Sequence, residues 1–460
     1  MNGFAKRAVA LSCIVALLLF PAIAWAHARL ERSQPAAGSR VGSPQIIRLW
    51  FSERPEVSLS GVSLKDQTGK DFPVGPAHPD ATNPLVVSFE ISAAVPVGRY
   101  TIAWRTVSSD GHPSHGSFTF EVISLQPESG LAAAVSTTPA TTTRTPTASS
   151  TPQETAPEDE ASSVSNSLTR ALSFAGILVV IGVIVFNILV VARSSRIGSE
   201  LVWRIESRAA IVGVAASVLV IAAAFGRIFL ESRMMNDMPG MQTMSMTDMT
   251  MHTRWGFALR LEIIAAFLTL VAFSIAIRRV RFAWLIASVS AGVLAVTPAL
   301  AGHAAATPRF TSLVVLTDAL HVFGASSWLG NLACVMLIGV PIILRSGGEE
   351  RWQKVAALVN TFSPVALASA SVVVLSGLIA SWVHLEHISD LWTTAYGQML
   401  FRKLVFVALT VVVGAYNFRR VQPRLLSEGG TARLRRATTV ELGLGVIILI
   451  FTGFLTGIAP

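Results

Sequence analysis

The sequence predicts a multidomain protein: an N-terminal all-β sandwich or Greek-key barrel of about a hundred residues, then an all-α polytopic membrane domain of eight helices. Three observations carry that reading. Eight apolar stretches are each long enough to cross a bilayer. Near the N-terminus, several short runs alternate apolar and polar residues. A Thr/Ser/Pro-rich stretch with hardly an aromatic separates the two patterns. Composition agrees, since 52% of the 460 residues are hydrophobic and 14% are charged, against ~25% charged in an ordinary soluble domain.

Residues 1–26 read as a signal peptide. Lys6 and Arg7 supply a basic start, "AVALSCIVALLLF" an apolar centre and "AWA" a cleavage site. Cleavage after Ala26 leaves His27 as the first residue of the mature chain. Cys13 departs with the leader and Cys334 lies in a membrane run, so the mature protein has one thiol and its exported domain is held by packing alone.

Residues 27–124 form the β domain. "QIIRLWFSE", "LVVSFEIS", "RYTIAWRTVS" and "GSFTFEVI" are rich in Val, Ile, Phe and Trp and are divided by Gly, Pro, Asn and Asp. Residues 125–166 cannot bury a core and read as a disordered tether, ~130 Å long when fully extended. Residues 167–460 carry the apolar stretches, near 170–192, 209–230, 255–277, 282–302, 311–344, 358–383, 400–418 and 437–459. An exported β domain makes the first helix run inward, and Arg and Lys then crowd the inner loops, as the positive-inside rule requires. The same bias accounts for the net charge of +9 without nucleic acid as a partner. The chain reads as a multi-pass protein of the bacterial inner (plasma) membrane with a periplasmic N-terminal domain.

Soft and imidazole donors are unevenly placed. Eight of eleven methionines fall in one outer loop, at Met234, Met235, Met238, Met241, Met244, Met246, Met249 and Met251, and His252 closes the run. A hydrophobic lid or interfacial helix is the plain alternative. Pro239-Gly240 argue against one continuous helix, and the interleaved Asp, Thr, Ser and Gln argue against a buried face. Thioethers are soft donors suited to Cu(I).

A second cluster is "SSDGHPSHGSF", residues 108–118. It reads as an ordinary turn with surface histidines, or as half of a metal site. An N-terminal His27 offers its α-amine and an imidazole nitrogen as a chelate. His112 adds a second imidazole and Asp110 a carboxylate, because alternate residues of an extended segment face one side. That is the tetragonal N/O set Cu(II) prefers.

Within the membrane, Asp318, His321 and Trp328 share one helix face. His321 lies ~15 Å deep, where ionisable side chains are costly and mark function. His303 ends the fourth stretch, within reach of the same path. A structural Asp–His hydrogen bond is the alternative. His384 and His387, with Asp390, are an entry site or an interfacial cap. Arg227, Arg260 and Glu262 receive no metal role.

"HARLERSQPAAGSRV", "LWFSE" and "DGHPSHGSFTFEV" resemble CopC, the periplasmic copper-binding β-barrel. "LAGHAAATP", "DALHVFGASSWLGNL" and "LWTTAYGQMLFRKLVFVALTVVVGAYNFRR" resemble CopD, its inner-membrane companion. The resemblance implies a CopC–CopD fusion that binds copper and imports or transports it across the membrane, in copper homeostasis or resistance, without enzymatic chemistry. It implies Cu(II) ligands at His27, Asp110 and His112. Some CopC proteins add a Met-rich Cu(I) site, but residues 27–125 hold no methionine, so the β domain is expected to take Cu(II) alone. A direct relay to a Cu(I) loop then needs a periplasmic reductant or copper chaperone as partner. Three alternatives stay open: a copper buffer without transport, a redox enzyme built on the N-terminal histidine brace, and a haem-bearing electron carrier. No P-loop is present, which argues against ATP-driven pumping.

Overall fold

In the computed structural model, residues 29–52, 54–108, 113–124, 157–194, 196–237, 246–302, 311–385, 387–425 and 427–458 are described. His27, Asp110, His112, Met238, Met241, Met244 and His303 lie outside them, as do the expected leader and most of the expected tether.

Among the described residues, nine strands build the N-terminal sandwich: β1 Leu30–Gln34, β2 Arg40–Val41, β3 Ile46–Phe51, β4 Gly61–Asp66, β5 Asp71–Phe72, β6 Val74–Pro79, β7 Val86–Ile91, β8 Gly98–Val107 and β9 Pro113–Val122. One sheet has the order β1-β3-β7-β6 and the other β2-β9-β8-β4-β5. Alternation sets the inward faces. Ile47, Leu49 and Phe51 of β3, Val87, Phe89 and Ile91 of β7, and Tyr100, Ile102 and Trp104 of β8 close one core. Phe51 meets Trp104 edge-on at 5.3 Å. The strands with no clear sequence pattern are mostly short edge strands, β2, β5 and the Pro-containing β6, as edges tend to be.

Among the described residues, eight helices are long and apolar enough to span a membrane: Val164–Val191, Ser199–Arg233, Arg254–Ala276, Phe282–Ala301, Thr311–Arg345, Arg351–His384, Ala395–Arg424 and Gly429–Leu455. They are the first to eighth spans below. Two expectations need correction. The first helix starts at Pro157, inside the expected tether of 125–166, because Pro followed by Glu158, Asp159 and Glu160 suits a helix N-terminus. The methionine segment is also more helical than expected. Met234 and Met235 belong to the helix Ser199–Asp237, and Met246, Met249, Met251 and His252 lie on a short helix, Met246–His252.

The first and fifth spans cross at glycines. A Cβ on Gly330 would collide with the Leu178 carbonyl, and one on Gly182 with the Gly330 backbone. Small residues at such crossings let helix backbones touch. Gly330→Val should therefore cost about 3 kcal/mol or more, read as a lower Tm of the detergent-solubilised chain. A pair of charges is absorbed structurally nearby: Arg227 lies 3.6 Å from Glu262, Ser173 donates to Glu262, and the Arg227 guanidinium sits over Trp255.

Candidate metal sites

The end of the sandwich that carries the candidate loop is built by β8 and β9, whose pairing runs out to Val107 opposite Pro113. The residues between them include Asp110 and His112. Beside the loop, Pro55 bridges to Ser108, the Glu56 N–H donates to the Val107 carbonyl at 2.7 Å, and Ser60 bonds Thr106 at 2.7 Å. Arg29, the first described residue, donates its N–H to the Ser52 hydroxyl at 3.0 Å, and Leu30 pairs with Phe51. The chain just after His27 and the flanks of the Asp110–His112 loop therefore stand at one end of the sandwich. His115 is exposed on β9 opposite Arg105, and His78 is exposed on β6.

That same end packs on the membrane domain. Leu59 and Val107 share a buried apolar cluster with Ala224 of the second span, Met249, Trp255, Ala258 and Leu259, and Ala301 at the end of the fourth span. Glu56 accepts the backbone N–H of Arg254 and faces its guanidinium. Burial pushes the Glu56 carboxyl up, against the lowering pull of Arg254 and of Arg54. Burying Leu59 and Val107 contributes roughly 1.5–3 kcal/mol each at most.

The methionines near this contact have distinct surroundings. Met249 is 0% exposed, and Met246 packs beside the same cluster. Positions 246 and 249 lie three apart on one face of the helix Met246–His252, so the interleaved polar residues do not prevent burial here, contrary to expectation. Met251 is exposed, and its sulfur accepts a bond from Arg260 Nη1 at 2.8 Å. His252 is exposed.

In the half of the bundle nearer the β domain, the fifth, sixth and seventh spans gather Asp318, His321, Ser376, His384, Tyr396 and Lys403. His321 Nδ1 lies 3.0 Å from Ser376 Oγ. Ser376 donates its own hydrogen to the Val372 carbonyl at 2.6 Å, so His321 Nδ1–H is the donor and Nε2 carries the lone pair. His384 is fixed the same way, with Nδ1–H donating to the Ala380 carbonyl at 2.8 Å, and its ring stacks on Tyr396 with centroids 6.0 Å apart. Holding one ring nitrogen leaves the other directed for a metal. Asp318 does not pair with His321. Its electrostatic neighbours are His384 and Lys403, and Tyr396 in turn senses Asp318. Among the described residues, no three His, Cys, Asp or Glu side chains converge as a ready-made metal cage.

Lys403, Tyr396 and Ser376 escaped the sequence reading. Lys403 had a signal: with Arg402 it forms a charged pair near the start of an apolar run. The seventh span begins at Ala395 rather than near 400, which moves Lys403 from the rim to ~12 Å inside.

Comparison with known proteins matches these parts separately. The CopC domain model matches residues 30–123, the copper resistance protein D-like N-terminal domain matches 161–309, and copper resistance protein D matches 356–455. The chain is 23% identical to copper transport protein CutJ of Bacillus subtilis (strain 168), over 96% of this chain and 76% of that one. It is 37% identical to copper resistance protein C of Escherichia coli, over 22% of this chain and 83% of that protein. Among solved structures, PcoC, a methionine-rich copper resistance protein from Escherichia coli, is 35% identical. That match covers 21% of this chain and 100% of the other, with a TM-score of 0.20. The chain belongs to the CopC and CopD copper resistance families, and carries both domains on one polypeptide.

Proposed function

We propose that this chain captures copper on the outer side of the bacterial inner (plasma) membrane and carries it across, as a transporter rather than an enzyme. The leader of residues 1–26 exports the β domain, and the Arg-rich loops at the far end of the bundle face the cytoplasm. Cu(II) is held by the His27 amine and imidazole with Asp110 and His112. The methionine segment, Met234 to Met251 with His252, takes Cu(I). His303, Asp318 and His321 receive copper from it. A periplasmic reductant or a copper chaperone bridges the two oxidation states.

One observation carries this reading: the end of the β domain that bears the Asp110–His112 loop rests on the helix Met246–His252 and Trp255. The half of the bundle beneath holds His321 and His384, each with Nε2 as its lone-pair atom. Imidazole nitrogens and thioethers are the donor types copper accepts in its two states.

Cellular copper at limiting supply tests it. His321→Ala, and separately one alanine added before His27, should each lower accumulation about tenfold, the equivalent of roughly 1.4 kcal/mol of site affinity. Expression is matched first. An effect of His321→Ala alone would make the β domain an accessory buffer. No effect of either would remove the transport reading.

A further inference from the structure

Below Asp318 and His321, the same span carries polar groups that the copper path does not use. Trp328 lies midway along the fifth span, ~15 Å from Asp318 at 1.5 Å per residue. Its indole Nε1–H donates to Glu441 Oε1 at 3.2 Å. Asn417 Nδ2–H donates to Glu441 Oε2 at 3.0 Å. Glu441 is 4% exposed and sits ~18 Å from one end of the eighth span and ~21 Å from the other. Gly414 leaves room for it, since a Cβ there would stand 3.4 Å from Glu441 Oε1. The groups acting on this carboxylate are the two neutral donors, with no cation among them.

Several other buried polar atoms of the membrane domain lack partners among the described residues. They are Ser327 Oγ, both amide atoms of Asn331, Asn187 Oδ1 and Asn417 Oδ1. Asn331 is 0% and Ser327 3% exposed. They belong to the fifth, first and seventh spans. The fifth span loosens into π-helical turns at Ser326–Gly330 and Val335–Gly339, a form concentrated at functional sites. Buried polar atoms without protein partners are places where water is held, and an isolated carboxylate at this depth needs an incoming positive charge.

We propose that Glu441 is a proton-binding site at the centre of the membrane domain, and that its protonation accompanies copper passage. This rests on the transport reading above. A proton rather than copper suits the site, because both carboxylate oxygens are hard donors and no thioether or imidazole joins them. The ionised carboxylate accepts from Trp328 and Asn417. On protonation Oε2 becomes a hydroxyl and needs an acceptor. A half-turn of the Asn417 amide presents Oδ1, which is unpartnered in the ionised arrangement. Trp328 keeps its bond to Oε1 in both states. The proton comes from water held among the buried polar groups of the bundle, and returns to water when the carboxylate ionises. Asn417 is a positioning residue for that exchange.

The test uses the full chain in lipid vesicles, with Glu441→Gln and Asn417→Leu. Infrared difference spectra against pH should show a protonated-carboxyl C=O band that is lost in Glu441→Gln and shifted in Asn417→Leu. Copper uptake by the wild type should rise several-fold under an imposed pH gradient, and Glu441→Gln should bind copper equally yet ignore the gradient. A carboxyl band unchanged in Glu441→Gln overturns the site. A lost band with the gradient response intact overturns the coupling. A wild type that takes up no copper under any gradient overturns the coupling together with the transport reading, while the band still decides whether Glu441 binds a proton. If Glu441→Gln fails to fold, as its unfolding curve will tell, Asn417→Leu supplies the same two readouts, and an unshifted band and unchanged gradient response overturn the proposal.

Discussion

Adding one alanine ahead of His27 should lower the Cu(II) affinity of the β domain by more than ~100-fold, beyond the 10–100-fold typical of losing a group that merely orients a ligand. The addition leaves the imidazole in place but moves the α-amine one residue away, which opens the chelate ring. Competition against a Cu(II) chelator measures the change, and a visible absorption shift reports the altered nitrogen count. His112→Ala should fall in the same range, because it removes the second imidazole of the proposed donor set. His115→Ala should change little: His115 is exposed on β9, opposite Arg105 and facing away from the buried face of the sheet. Equal losses from His115 and His112 would reject the assignment. The β domain buries its own apolar core, yet the measurement belongs on the full chain, because Leu59 and Val107 are covered by the membrane domain.

How much of this was legible in the sequence depended on the range of the interaction. Central strands announced themselves through alternation, since β3, β7 and β8 each bury one face. Two-residue strands such as β2 and β5 are too short for any periodic signal. The eight spans were legible from apolar length alone, but their ends were not. Hydropathy stops at the first charges, whereas the helix continues; the sixth span starts at Arg351 rather than near 358. Asp318, His321 and Trp328 lie on one span, where the spacing predicts a shared face, but spacing along a helix cannot say what faces it. His321 turned to Ser376, Asp318 to His384 and Lys403, and Trp328 to Glu441. Each partner comes from another span, and no local pattern encodes that choice. The docking of Leu59 and Val107 was hidden for the same reason. At the end of a strand, an apolar residue reads as domain core.

Reversing one charge at the domain contact should release the β domain. Glu56 accepts the Arg254 backbone N–H and faces the Arg254 guanidinium, so Glu56→Arg sets two guanidiniums against each other across a partly dry contact. Leu59→Asp, at a site 5% exposed, removes roughly 1.5–3 kcal/mol of burial and adds an unpaired carboxylate. Either change should cut docking more than tenfold, read as loss of the disulfide formed on oxidation between Val107→Cys and Trp255→Cys in a Cys334→Ala background. Copper uptake should fall with it, whereas Cu(II) binding to the β domain should persist. Uptake at the wild-type rate from an undocked chain would separate the contact from transport.

The pH dependence has a defined sign. Burial raises the Glu56 carboxyl above its ordinary 4.5, so the docked state binds the proton more tightly than the undocked one. By linkage, docking strengthens as pH falls through the raised value towards 4.5, and the penalty for burying the ionised form is fully felt above that window. Glu56→Gln should therefore flatten the dependence of crosslinking on pH across that acid window. At neutral pH it should dock at least as well as wild type, because an amide is cheaper to bury than a carboxylate. If Glu56→Gln docks worse at neutral pH, attraction to Arg254 outweighs desolvation, and wild-type docking should then weaken in acid instead.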